Sequence, residues 1–184
     1  DRVLDWGGND KAIVSVSFAK IPSNIETIEY VDGALEIPYW ISALTYEYSA
    51  GSYLAQLLGP DKTFYYAFPS VIPDYNDREK DANGFTALNQ TQRSNALLLL
   101  NSLAKIIDVQ VMPAPTIDAP NTITIALNDQ ENSGGYAYTP SVSSLGSDIF
   151  LNNKPYNDTL AQNSPGANVI THELGHALGL KHPF

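Results

Sequence analysis

The chain has 184 residues, no cysteine and a formal net charge of −10 at pH 7, a length that points to one domain burying roughly 70% of its unfolded surface without covalent staples. The acidic balance argues against a nucleic-acid partner, which needs a basic footprint. Without thiols there is neither a disulfide nor a thiolate metal site, so any metal falls to His, Asp or Glu.

Residues 1–33 differ from the rest. After Gly7-Gly8-Asn9-Asp10, Val14, Val16 and Phe18 alternate with Ser15 and Ser17, and Ile25 to Tyr30 alternates again before Asp32-Gly33, the period of half-buried strands. The opening resembles one edge of a glycine-rich RTX calcium repeat, matched in part and once; a plain β-hairpin or leader accounts for it equally well. Residues 34–60 hold two apolar segments, Tyr39 to Leu44 and Tyr53 to Leu58, that fit strands or helical turns alike. The aromatic run Thr63 to Phe68 reads as the first strand of a sheet. Asp74 to Gly84 is a polar loop whose carboxylates lack the EF-hand spacing, and solvated surface is the expectation there.

From Asn89 to Ile107 the pattern is helical, with Asn89 as N-cap, Gln92 completing a capping box, and a stripe of Ala96, Leu99, Leu100, Leu103 and Ile107. Val109 to Met112 and Thr122 to Leu127 read as strands around a proline-marked loop. Tyr136 to Thr139, after the Gly134-Gly135 turn, reads as a short strand ended by Pro140, and Asp148 to Leu151 as another. Asn152 to Gly166 is an irregular polar loop, followed by a helix from about Ala167. Asn-x-Thr acceptors at Asn89 and Asn157 are incidental in this context. No apolar run nears the ~20 residues of a membrane span. No secretion signal is legible at Asp1.

The last helix carries the chemistry. His172-Glu173-x-x-His176-x-x-Gly179-x-x-His182 reproduces the spacing H-E-x-x-H-x-x-G-x-x-H, and its three histidines are all that the chain possesses. At roughly 100° per residue, His172 and His176 project from one helical face a turn apart, able to close on one ion. Ile170, Leu174, Ala177 and Leu178 form the opposite, buried arc. Gly179 stands where a left-handed residue ends the helix and turns His182 back as a third ligand. Three protein ligands leave a zinc position open for water, and Glu173 on the flank is the candidate general base.

These residues, with the Lys181-His182-Pro183 ending, resemble the metzincins and, among them, the serralysin branch of secreted bacterial zinc endopeptidases. Asn83 to Asn89 resembles that family's entry into its first long helix, Gly135 to Pro140 its substrate-side edge strand, and Ser147 to Leu151 the strand beside it. The resemblance implies an α+β zincin N-terminal subdomain: a twisted mixed sheet backed by a long helix plus an active-site helix. It spans residues 34–184, beyond the 1–33 RTX-like leader. It further implies Zn²⁺ on His172, His176 and His182, and hydrolysis of a protein or peptide substrate by zinc-activated water with Glu173 as base. Gly135, Tyr136, Ala137 and Tyr138 would pair with the substrate main chain. Ca²⁺ would bind repeats outside this chain, and the protein would act extracellularly after type I secretion. The methionine turn and tyrosine of the family lie beyond the third histidine, so a piece of a longer protein is expected. The competing expectation is a non-catalytic zincin-like module of a large secreted RTX surface or adhesin protein. The sequence sets no oligomeric state.

Overall fold

A computed structural model describes residues 11–14, 27–30, 44, 61–119 and 121–182. The Gly7-Gly8-Asn9-Asp10 opening, most of residues 31–60 and the final Pro183-Phe184 lie outside the described residues.

Strands β1 (Lys11–Val14) and β2 (Thr27–Tyr30) form a two-stranded sheet, tied at its surface by an ion pair between Lys11 and Glu29. They run parallel, with Lys11 opposite Thr27 and Val14 opposite Tyr30. A plain hairpin is therefore excluded, because adjacent hairpin strands must be antiparallel and parallel ones need a crossover.

The second sheet organises the rest. It comprises β3 (Thr63–Ala67), β4 (Gln110–Pro113), β5 (Thr122–Asn128), β6 (Gly135–Ala137) and β7 (Ile149–Asn152), in the spatial order β4-β3-β5-β7-β6. Only β6 is antiparallel to its neighbour, and it is an edge strand. Helices α1 (Glu79–Ala82) and α2 (Gln90–Ile107) lie between β3 and β4, and a 3₁₀ turn (Pro155–Asn157) and α3 (Pro165–Ala177) follow β7.

The two faces of this sheet differ in chemistry. Phe64, Ile123, Ile125, Leu127, Ile149 and Leu151 point to one side and pack on Ala96 and Leu100 of α2 and on Ile170, Leu174 and Ala177 of α3. This is the main core, and its apolar area is what holds both helices down. On the other face Thr124, Asn128, Asp148 and Phe150 are buried under residues 73–82 rather than exposed to water. All of β5 is buried accordingly, as expected for a central strand covered on both faces.

Helix α2 begins as its sequence dictates: Asn89 Oδ1 accepts from the Gln92 amide, and Gln92 Oε1 accepts from the Asn89 amide. Ala96, Leu99, Leu100 and Leu103 of the expected stripe lie in or against the core, and the departure is at its end. Ala104 is buried while Ile107 is exposed, because the helix stops there at Asp108, a left-handed residue (φ 54°).

A second difference lies in the Asp74–Gly84 segment, expected as solvated surface. Asn76 and Asp81 within it are buried. The reason is the polar underside of the sheet, which supplies hydroxyl and amide partners that replace water.

Candidate metal centre

Helix α3 starts two residues earlier than its apolar pattern suggested. Ser164 caps it, its Oγ accepting from the Ala167 amide at 3.1 Å, and Pro165 occupies the first turn, where a missing N–H costs nothing. Ile170, Leu174 and Ala177 are buried in the core, which leaves His172 and His176 on the face turned from it. The His172 and His176 rings meet edge to face at 4.7 Å between centroids.

The end of α3 is a Schellman turn. Gly179 has φ +93°, its amide donates to the His176 carbonyl, and the Leu180 amide donates to the Gly175 carbonyl, both at 2.9 Å. The Leu180 side chain lies over Gly175, where even a β-carbon would come within 3.7 Å of it. After this reversal the Lys181 amide donates to the Leu44 carbonyl at 2.8 Å, and His182 returns to the other two histidines.

The three Nε2 atoms then converge, separated by 3.0 Å (His172–His182), 3.1 Å (His172–His176) and 3.2 Å (His176–His182). Tetrahedral coordination at about 2.0–2.1 Å per imidazole would space them at roughly 3.3–3.4 Å. The fit to one small cation is within a few tenths of an ångström. His176 Nδ1 lies 2.7 Å from the Leu180 carbonyl oxygen, which can only accept. That nitrogen therefore carries the proton, and the His176 Nε2 lone pair faces the convergence point. Desolvation, followed by the proximity of His176 and His182, pulls the His172 pKa below the ordinary imidazole value. The neutral, metal-competent form is favoured accordingly.

Glu173 is 5% exposed. Burial raises its pKa, and the neighbouring His176 partly offsets the rise. It lies against β6: a β-carbon added to Gly135 would sit 3.0 Å from Glu173 Cγ, 3.1 Å from the Phe150 carbonyl oxygen and 3.2 Å from Val169 Cγ1. A side chain at 135 would have to displace these neighbours by a few tenths of an ångström, a close approach no local sequence pattern announces.

Between β6 and α3 runs a cleft of about 650 Å³, walled by residues 133–137 on one side and by Asn168, Val169, Glu173 and the three histidines on the other. Tyr136 and Tyr138, expected at the substrate edge, direct their hydroxyls to the buried Asp81 carboxylate. Gly135 and Ala137 alternate with them along β6. Asn157, one of the Asn-x-Thr acceptors, is fully buried, with its Nδ2 donating to the Gly134 and Asn152 carbonyls.

The sequence model of the reprolysin-like M12B metallopeptidase family matches residues 80–183. The chain is similar to a serralysin of Photorhabdus sp. (strain Az29), 31% identical over 134 residues that make up 68% of this chain and 27% of that protein. It is also similar to serralysin G of Dickeya chrysanthemi, 31% identical over 70% of this chain and 28% of the other. The metallopeptidase AprA of Pseudomonas marginalis matches at 31% over 64% of this chain and 26% of its own length. The chain thus spans about a quarter of the length of these curated relatives.

Proposed function

Because the chain belongs to the reprolysin-like M12B metallopeptidases and is a serralysin-like metzincin, we propose that the intact protein is a zinc-dependent endopeptidase acting on protein substrates. The observation that carries this reading is the convergence of three Nε2 atoms to within 3.2 Å of one another beside a buried carboxylate in an open cleft.

His172, His176 and His182 would hold the zinc. When bound there, zinc supplies Lewis acidity that polarises a carbonyl and acidifies water toward a pKa of about 7. Glu173 is the general base: its carboxylate accepts a proton from water and passes it to the departing amine, with Gly135 keeping its approach clear. The Leu180 carbonyl orients the His176 ring. Gly135, Tyr136, Ala137 and Tyr138, at the open edge of the sheet, would pair through their main chain with an extended substrate, while the Tyr136 and Tyr138 hydroxyls tie the strand to Asp81. Kinship with the serralysins supports an extracellular place of work. Type I export, with Ca²⁺ bound by repeats outside this chain, belongs to the same reading. The alternative, an inert module of a surface protein, has no use for a carboxylate held at the cleft.

The test is Glu173→Ala in the full-length protein. Zinc content should be unchanged, while cleavage of a general protein substrate falls by ~10²–10⁴-fold. Substantial residual cleavage in the zinc-loaded variant would remove Glu173 from its role.

A further inference from the structure

We propose that Asp81, remote from the histidines in sequence, is the positioning residue that holds β6 at the height where a substrate backbone can pair with it; the inference rests on the peptidase reading above. Asp81 belongs to a helix of four residues and is fully buried. Its Oδ1 accepts from the Tyr136 hydroxyl at 2.6 Å, and the Tyr138 hydroxyl donates to Oδ2 at 2.8 Å with a longer approach to Oδ1 at 3.1 Å. Asn76 Nδ2 donates to Oδ2 at 2.9 Å, and Lys80 Nζ stands 4.0 Å from Oδ1. Tyr136 oxygen in turn accepts from Asn128 Nδ2 at 2.8 Å.

The same two rings are held on their faces. Lys80 Nζ lies 4.5 Å from the Tyr136 centroid and 4.8 Å from that of Tyr138, and the Arg78 guanidinium carbon lies 5.3 Å from the Tyr138 centroid. Tyr136 also stacks on Phe150 at 5.4 Å. Burial first, and then the hydrogen bond to Asp81, raise the pKa of both phenols. Both therefore remain donors at any pH at which the protein works.

The need for such an anchor follows from the strand itself. β6 is three residues long and, among the described residues, is paired along one side, with β7. Gly135 and Ala137 contribute at most a methyl group each, so their own packing secures little. Beyond the ladder to β7, the long side chains that grip the strand are those of residues 136 and 138, and both lead to Asp81. A charge-assisted acceptor is the strong kind of partner, and it sits on the far face of the sheet, where it cannot obstruct the cleft. Asp81 thereby sets where the open side of β6 meets a peptide.

The experiment compares full-length wild type with Asp81→Asn, measuring zinc content, kcat and KM on an extended peptide. Expected are equal zinc, a kcat within about threefold, and a KM raised about tenfold, the signature of lost substrate pairing. The Tyr136→Phe/Tyr138→Phe double variant, which keeps the Asn76 bond, should raise KM likewise, and adding Asp81→Asn to it should add little. That double variant carries the test if Asp81→Asn fails to fold. Unchanged KM in folded, zinc-loaded variants, or a loss confined to kcat, overturns the proposal; a merely structural role would lower the melting temperature and leave KM alone. If wild type cleaves nothing, the peptidase reading falls, while amide hydrogen exchange over residues 135–138 still decides the anchoring: unchanged protection in Asp81→Asn overturns it, and faster exchange sustains it.

Discussion

Asp148 offers a quantitative test of the buried polar face. Its carboxyl is fully buried, accepts from Thr124 Oγ1 at 2.6 Å and from the Tyr75 hydroxyl at 3.0 Å, and has its pKa raised from 3.8 to about 7. Burial is the largest cause and the charge of Asp81 adds to it, while the two hydrogen bonds oppose. Because the folded state holds this proton more tightly than the unfolded one, stability falls as pH rises. The contribution is intact below pH 4 and is lost progressively until about pH 7, above which it is flat. At 1.36 kcal/mol per pH unit, the whole loss is on the order of 4 kcal/mol. Asp148→Asn keeps the shape and removes the titration. Urea unfolding of the chelator-treated protein, at pH values from 4 to 9, should find the variant within about 1 kcal/mol of wild type at pH 4. By pH 8 the variant should be more stable by a few kcal/mol. Working with the difference between the two proteins cancels the histidines and the surface carboxylates. A difference that stays level with pH, or that grows in favour of wild type, would mean that the two hydroxyls outweigh burial, and the reasoning would be wrong.

Two further outcomes test the cleft. Gly179→Ala places a β-carbon at φ +93° and should cost about 1 kcal/mol in thermal stability; competition titration should also find weaker zinc binding, since His182 depends on that turn. Equal zinc affinity would detach the third ligand from the helix end. Gly135→Ala brings a β-carbon to 3.0 Å from Glu173 Cγ, and overpacking of this kind costs about 1–3 kcal/mol. In the full-length protein kcat should fall about tenfold with zinc content intact, an effect on transition-state stabilisation. An unchanged kcat would free Glu173 from any dependence on β6.

What the sequence determined by itself was local. The capping box at Asn89 and Gln92, the i, i+4 pair of His172 and His176 and the glycine reversal before His182 all act within a few residues of the chain. Backbone geometry and side-chain reach at that range are nearly independent of the rest of the molecule, so spacing alone foretold that the three imidazoles converge. The start of α3 was legible too, in Ser164-Pro165, though hydrophobic periodicity pointed two residues later.

Tertiary structure decided the rest. The polar run from Asp74 looked like surface because hydration is the default for carboxylates; it became interior because Tyr136 and Tyr138, 55 and 57 residues away, brought donors to Asp81, and Asn128, 47 away, fixed the chain around it. The parallel pairing of β1 with β2, the edge position of β6 and the contact of Gly135 with Glu173 likewise depend on which segments meet. Periodicity records which face of a segment is apolar. It carries no record of which distant polar group will stand opposite, and the energy of a buried charge depends on that neighbour.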